Sequence, residues 1–190
     1  MRHPRVILAA ILLAALPQCA WPAATNEDIV VHVEKSGQEI SMQVDCPVDA
    51  PWSIVWDVLT DYDHMALFLS NVQYSAIENR DADVLHVHQI GKASHGPLSM
   101  KFDNVREIVL VPYREIRSKL IRGDFKASEF TTRIVETGAR VHILNVGRYT
   151  PNVWVPPLIG PMVIEAEAQK QFGEIRAEIL RRSAAGIADR

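Results

Sequence analysis

Val48-Asp49-Ala50-Pro51-Trp52-Ser53-Ile54-Val55-Trp56-Asp57-Val58-Leu59-Thr60-Asp61-Tyr62-Asp63 is the stretch in which the chain changes its period. Upstream, over 29–35 and 39–45, apolar and polar residues alternate in the two-residue repeat of a strand, with Ser36-Gly37 between them. That pattern reads as a short hairpin or as one strand broken by a turn. At Pro51 the repeat changes, because proline suits the first turn of a helix and Trp52, Val55, Trp56 and Leu59 follow at helical spacing. A second short helix is expected over 64–69.

Beyond Asn71 the pattern returns to strands. Breaks near Asp81-Ala82-Asp83, His95-Gly96-Pro97, Pro112-Tyr113, Gly123-Asp124 and Thr137-Gly138 divide it into an antiparallel meander of six. Leu98, Met100 and Phe102 share one face while Ser99, Lys101 and Asp103 share the other; Ile116, Ser118 and Leu120 likewise oppose Glu115, Arg117 and Lys119. After a proline-rich bend over 151–161, Ile164, Ala168, Phe172, Ile175 and Ile179 recur at steps of three and four. A sheet with one apolar face and a long helix with one apolar stripe cover each other. The expected fold is therefore α+β, a curved antiparallel sheet of about seven strands around a long C-terminal helix, with two short helices after the first strand. A plain two-layer α+β domain with a filled core is the alternative.

The N-terminus differs from the rest. Arg2 and Arg5 precede 11 apolar residues over 6–16, and Ala23 and Ala24 offer small side chains for cleavage. Residues 1–24 are expected to be a signal peptide and 25–190 a single ligand-binding domain, periplasmic or secreted. The apolar run is too short to span a bilayer, which needs roughly 20 residues. Removal of the leader takes the formal charge from -3 to -5 and leaves Cys46 as the sole cysteine, so no intrachain disulfide can form. Cys46 reads as a small buried hydrophobe. With 48% hydrophobic and 23% charged residues, and no cluster of Lys or Arg, the composition is globular and argues against nucleic acid as a partner.

Two motifs carry a family resemblance. Val48-Asp49-Ala50-Pro51, followed by Val55-Trp56-Asp57-Val58-Leu59-Thr60-Asp61-Tyr62-Asp63 and Phe68-Leu69-Ser70-Asn71-Val72, is similar to the first helix and following loop of the START-like (SRPBCC) superfamily. Within it, the chain resembles the polyketide cyclase/dehydrase and coenzyme-Q-binding START-like group. Trp154-Val155-Pro156-Pro157-Leu158-Ile159-Gly160 before the final helix is the second match, and the resemblance runs from about residue 28 to 182. It implies a helix-grip fold, a cavity between sheet and helix, and a mouth governed by the short helices and adjacent loop. The motif residues themselves read mainly as scaffold, with Trp56 and Leu59 facing the sheet and Asp61 and Asp63 bonding nearby backbone.

A filled core and a cavity would use the same apolar side chains. Aromatics at 7% are few for filling the space under a curved sheet, which favours a pocket, as does the resemblance. Leu98, Met100, Phe102, Leu120, Phe130, Phe172 and Ile175 are the expected apolar lining. Ser118, Arg122, Asn104 and Asn145 are the polar residues expected to orient a ligand, since they lie on or near strand faces otherwise apolar. Arg122 continues the Ile116, Ser118, Leu120 face and would meet an acidic or carbonyl head group with several donors; its alternative is a strand end reaching solvent.

His86 and His88 would share a strand face about 7 Å apart, but a metal site needs a third ligand for which only His142 or His95 offers itself; ordinary strand histidines are the simpler reading. No metalloprotease helix, paired cysteines, phosphate loop or nucleophile elbow is present, and no cofactor is expected. The expected function is an exported carrier of an apolar small molecule such as a lipid, isoprenoid quinone or polyketide-like compound. A cyclase or dehydratase acting through a shaped cavity is the enzyme alternative, and it calls for an acid or base such as His86 or Arg122 pointing inward. A protein-binding adaptor with a filled interior is the third reading, its partner unknown. Trp154-Val155-Pro156-Pro157 would serve partner contact or transient membrane docking, unless it is a packed bend.

Overall fold

The structure is a computed structural model and describes residues 28–95, 98–138, 140–157 and 159–188. The expected signal peptide, Cys19, and Gly96 and Pro97 of the expected turn lie outside the described residues. Among the described residues eight strands form one sheet: β1 (Val30–Ser36), β2 (Glu39–Val48), β3 (Val72–Asp81), β4 (Val84–His95), β5 (Leu98–Val111), β6 (Glu115–Gly123), β7 (Phe125–Thr137) and β8 (Arg140–Pro151). Their order is β1-β2-β8-β7-β6-β5-β4-β3, antiparallel throughout. The count is eight rather than about seven, because Gly37 turns the chain tightly enough at positive φ for the first segment to fold as a complete hairpin.

The helices are α1 (Trp52–Leu59), α2 (Met65–Phe68), which follows a single 3-10 turn at Tyr62–His64, and α3 (Gly160–Ala188). Pro51 stands just outside α1, and its carbonyl accepts from the amides of Ile54 and Val55. At the other end Thr60 closes the helix by donating from both its amide and its hydroxyl to the carbonyl of Trp56. The 29 residues of α3 give an axis of about 44 Å at 1.5 Å per residue, long enough to cross the whole sheet. The fold is the α+β helix-grip arrangement.

Packing along α3 is uneven. Around its C-terminal half, Ile179 belongs with Val55 and Val58 of α1, Cys46 and Val48 of β2, and Ile143 of β8 to a core with almost no solvent access. Arg176, 4% exposed, is held there by Asp28 Oδ1 at 2.5 Å and the Pro47 carbonyl at 3.4 Å. Around its N-terminal half the helix stands off the sheet and a cavity opens.

Side-chain ties fix the short helices over that cavity. Glu174 of α3 accepts from the amide (3.0 Å) and hydroxyl (2.5 Å) of Ser70. Arg182 donates to Asp61 Oδ2 at 2.7 Å, and His64 to Oδ1 at 2.6 Å, so Asp61 holds side chains rather than the nearby backbone expected of it. Asp63 does accept from backbone, but from Ile77 across on β3. Trp56 and Leu59 are buried as their spacing predicts. Trp52 adds a link by donating its ring N–H to the carbonyl of Tyr113 in the β5–β6 turn.

Candidate functional site

The cavity has a volume of about 330 Å³, within the range of small-molecule sites. Strands β4 to β8 supply its floor, Gln171, Phe172 and Ile175 of α3 its roof, and Leu59, Tyr62, Met65 and Leu69 its end wall. A second space of about 270 Å³ adjoins it beneath the N-terminus of α3, walled by Val153, Trp154, Val155 and Pro156. Met42, Asn71, Ala93, Met100, Tyr149 and Gln171 line both, so the two form one passage with an outer and an inner compartment.

Two glycines help keep the inner compartment open. Gly91 pairs with Phe102 across β4–β5, and Gly147 pairs with Phe130 across β7–β8. A methyl group on Gly91 would lie 2.3 Å from Phe102 Cζ and 2.1 Å from the Asn71 carbonyl; one on Gly147 would lie 2.3 Å from Phe130 Cδ1. Each ring therefore lies down over the bare backbone of its neighbour instead of standing up into the cavity. At Gly91 the same bareness lets the Asn71 carbonyl come close enough to accept from the amide of Lys92 at 2.9 Å.

Of the residues singled out from the sequence, Met100, Phe102, Asn104, Ser118, Phe130, Asn145, Phe172 and Ile175 all line the inner compartment. Asn145 donates to Thr132 Oγ1 at 2.8 Å, and Asn104 accepts from the amide of Asp124, holding the β6–β7 turn. Leu98 starts β5, but its side chain lies outside the described residues. Leu120 is half-buried opposite Arg106 and lines neither compartment.

Arg122 requires a correction. Its side chain is 64% exposed and sits 3.6 Å from Glu78 on the outer surface. The register explains why: Arg106 pairs with Leu120 while Val105 pairs with Arg122, so Ile121 is an extra residue bulging from β6. One inserted residue reverses the parity of a strand, and Arg122 is turned outward by it.

The cation that does enter the cavity is Arg106. Its guanidinium donates to Ser118 Oγ at 3.3 Å and to Ser128 Oγ, and its Cζ lies 5.7 Å from the centre of the Phe130 ring. No carboxylate among the described residues forms an ion pair with it. Burial pulls its pKa down to about 10, against a smaller opposing influence of Tyr62, which leaves it charged at neutral pH. The signal was present in the alternation: Met100 and Phe102, continued by twos, reach Asn104, Arg106 and Ile108. Tyr62 and Tyr149 also line the compartment, their hydroxyl pKa values raised by burial. Asn71 donates to Gln171, and its buried Oδ1 has no hydrogen-bond partner among the described residues.

The remaining polar candidates lie elsewhere. His88 bridges Glu78 and Asp103 at 3.1 and 2.8 Å on the outer face, since its neighbour Gln89 faces the cavity. His142 bonds Asp45 at 2.7 Å. Among the described residues no three His, Cys, Asp or Glu side chains converge to hold a metal. An outer-face depression of about 660 Å³ is larger, but charged residues such as Glu107, Arg117, Lys119 and Arg148 line it, and it suits solvent.

Over residues 48–171 the sequence matches the family model described as polyketide cyclase/dehydrase and lipid transport. The chain belongs to this family. The matched span takes in α1, the sheet from β3 to β8 and the first turns of α3 as far as Gln171. No curated protein matches the chain in sequence. Among solved structures it is similar to a STAR-related lipid transfer protein from Xanthomonas axonopodis, with TM-score 0.66 and 12% identity over 83% of this chain and 96% of that one. It is similar also to the Zhui aromatase/cyclase from Streptomyces sp. R1128, with TM-score 0.63 and 15% identity over 76% and 95%. A START superfamily protein from Mycobacterium smegmatis gives 0.56 and 18% over 78% and 99%. At these identities the likeness is one of fold.

Proposed function

We propose that this protein is an exported carrier that shields an apolar small molecule from water inside the cavity. The observation that carries the reading is the passage itself, a partly open space between sheet and helix walled chiefly by apolar side chains, in a fold whose other half is tightly packed. Burial of apolar guest surface at roughly 25 cal/mol per Å² supplies the attraction. Export is supported by the leader-like residues 1–24. Native mass spectrometry of protein from its exported fraction, with organic extraction, tests both parts: it should show a mature N-terminus near residue 25 and a reproducible small apolar guest. A protein that retains its N-terminus and yields no guest overturns them.

The rim gives the guest a route. From Tyr149 to Ile164 there is no charged residue, and Val153, Trp154, Ile159 and Met162 stand exposed around the outer compartment, Trp154 at 78%. Tryptophan favours the water–bilayer interface, so the rim is suited to touch a membrane while the guest passes. Flotation with phosphatidylcholine vesicles should recover the wild type and lose a Trp154→Ser, Met162→Ser double variant that still binds guest. Arg106 favours a second reading, cyclisation of a polycarbonyl substrate polarised by its guanidinium. Among the described residues, however, no His, Asp or Glu lines the inner compartment to move a proton.

A further inference from the structure

We infer that the guest carries a single carboxylate and that Arg106 receives it at the inner end of the passage. The inference rests on the carrier reading and adds the chemistry of the head group. Arg106 is half-buried, the cavity giving it some access to solvent, and a guanidinium drawn that far into the protein without a counter-ion is costly unless something negative meets it. Here the bonds within the described residues are to two neutral hydroxyls, Ser118 and Ser128, and to the face of Phe130. Two of five N–H donors are occupied, which leaves a fork able to hold both oxygens of a carboxylate. Each serine, already accepting from Arg106, keeps its own O–H to donate to the same head group.

The charge count selects a monoanion. One unpaired cation faces the inner compartment, and no acidic side chain lines it among the described residues. A phosphate monoester would bring about two negative charges at neutral pH and leave one buried without compensation. The rest of the wall, Met100, Phe102, Ile108, Ile116, Phe172 and Ile175, calls for an apolar body. Arg106 lies six residues along β5 from Met100, which borders the outer compartment, or about 20 Å at 3.3 Å per residue. The acid therefore enters first and its tail trails toward the Trp154 rim.

Dodecanoate, its methyl ester and 1-dodecanol, matched in tail and different in head, test this by displacement of a fluorescent apolar probe. Wild type should bind dodecanoate at least tenfold more tightly than either neutral compound. Arg106→Met should lose that preference while holding the ester and alcohol as before, and should unfold at the same temperature as wild type or higher, because an unpaired buried charge has been replaced by an apolar chain. Arg106→Gln, which keeps hydrogen bonding to the serines without the charge, should lose the preference as well. Ester and acid bound equally by wild type, or the preference surviving in both variants, overturns the carboxylate inference and leaves the carrier reading standing. Loss of all three compounds from both variants overturns it too, because Arg106 would then be a structural strut. If none of the three binds wild type, the carrier reading fails and this inference with it.

Discussion

At the scale of single residues the interior holds two unlike polar groups. Arg106 stays charged because its two serines and an aromatic face replace part of its hydration, whereas Cys46 is silenced. Burial beneath α3 pushes the Cys46 thiol up to about 12, far from the thiolate that reacts with alkylating reagents. Native protein should remain unlabelled by iodoacetamide at pH 8 and take up one label per mature chain in guanidinium chloride, as mass spectrometry would show; labelling of the native form would mean that the α3–β2 contact opens readily. Part of the cavity wall was legible from alternation, since Met100, Phe102, Ser118 and Asn145 lie on strands whose parity is unbroken up to them, whereas β7 is bulged between Phe125 and Ala127, ahead of Phe130. Arg122 was misplaced because the Ile121 bulge leaves no mark in the residue types around it. Arg106 was overlooked because charged residues are ordinarily assigned to the wet face.

Among the elements, the loop between α2 and β3 is tied across the cavity to both α3 and β4. Ser70 ties it to Glu174, Asn71 ties it to Gln171 and Lys92, and Gly91 gives it room to approach. Ser70→Ala removes the hydroxyl bond and leaves the amide bond, a loss of about 1 kcal/mol. If the carrier reading holds, stopped-flow displacement of a bound apolar probe should then show faster release, with the unfolding midpoint lowered by about 2–4 °C. Gly91→Ala, by contrast, forces a methyl group onto a backbone carbonyl and should cost about 1–3 kcal/mol in denaturant titration. The helices and breaks were legible in the chain because proline, glycine and the change of period mark them. The ties were not, since Ser70 and Glu174 are 104 residues apart and nothing local links them.

The whole molecule divides its labour along α3, one half solid and the other hollow. Charge pairs hold the solid half in register, and their pKa values set its response to acid. Hydrogen bonds from Arg181 and then Arg182, outweighing burial, pull Glu178 down from 4.5 to about 2, while Asp28 is lowered chiefly by Arg176. A carboxylate depressed in the folded state stabilises above its unfolded pKa, and that contribution fades as pH falls through the folded value. Thermal midpoints should therefore decline from pH 5 to pH 2. Glu178→Gln should be weaker than wild type at pH 6, on the order of 1–2 kcal/mol because Arg181 faces solvent, and should converge with it near pH 2. In the hollow half, Gly91 and Gly147 allow Phe102 and Phe130 to recline. The room under the helix is thus set in part by two hydrogen atoms: related chains bearing alanine at either site would hold a narrower hollow, with no alteration to the aromatic residues themselves.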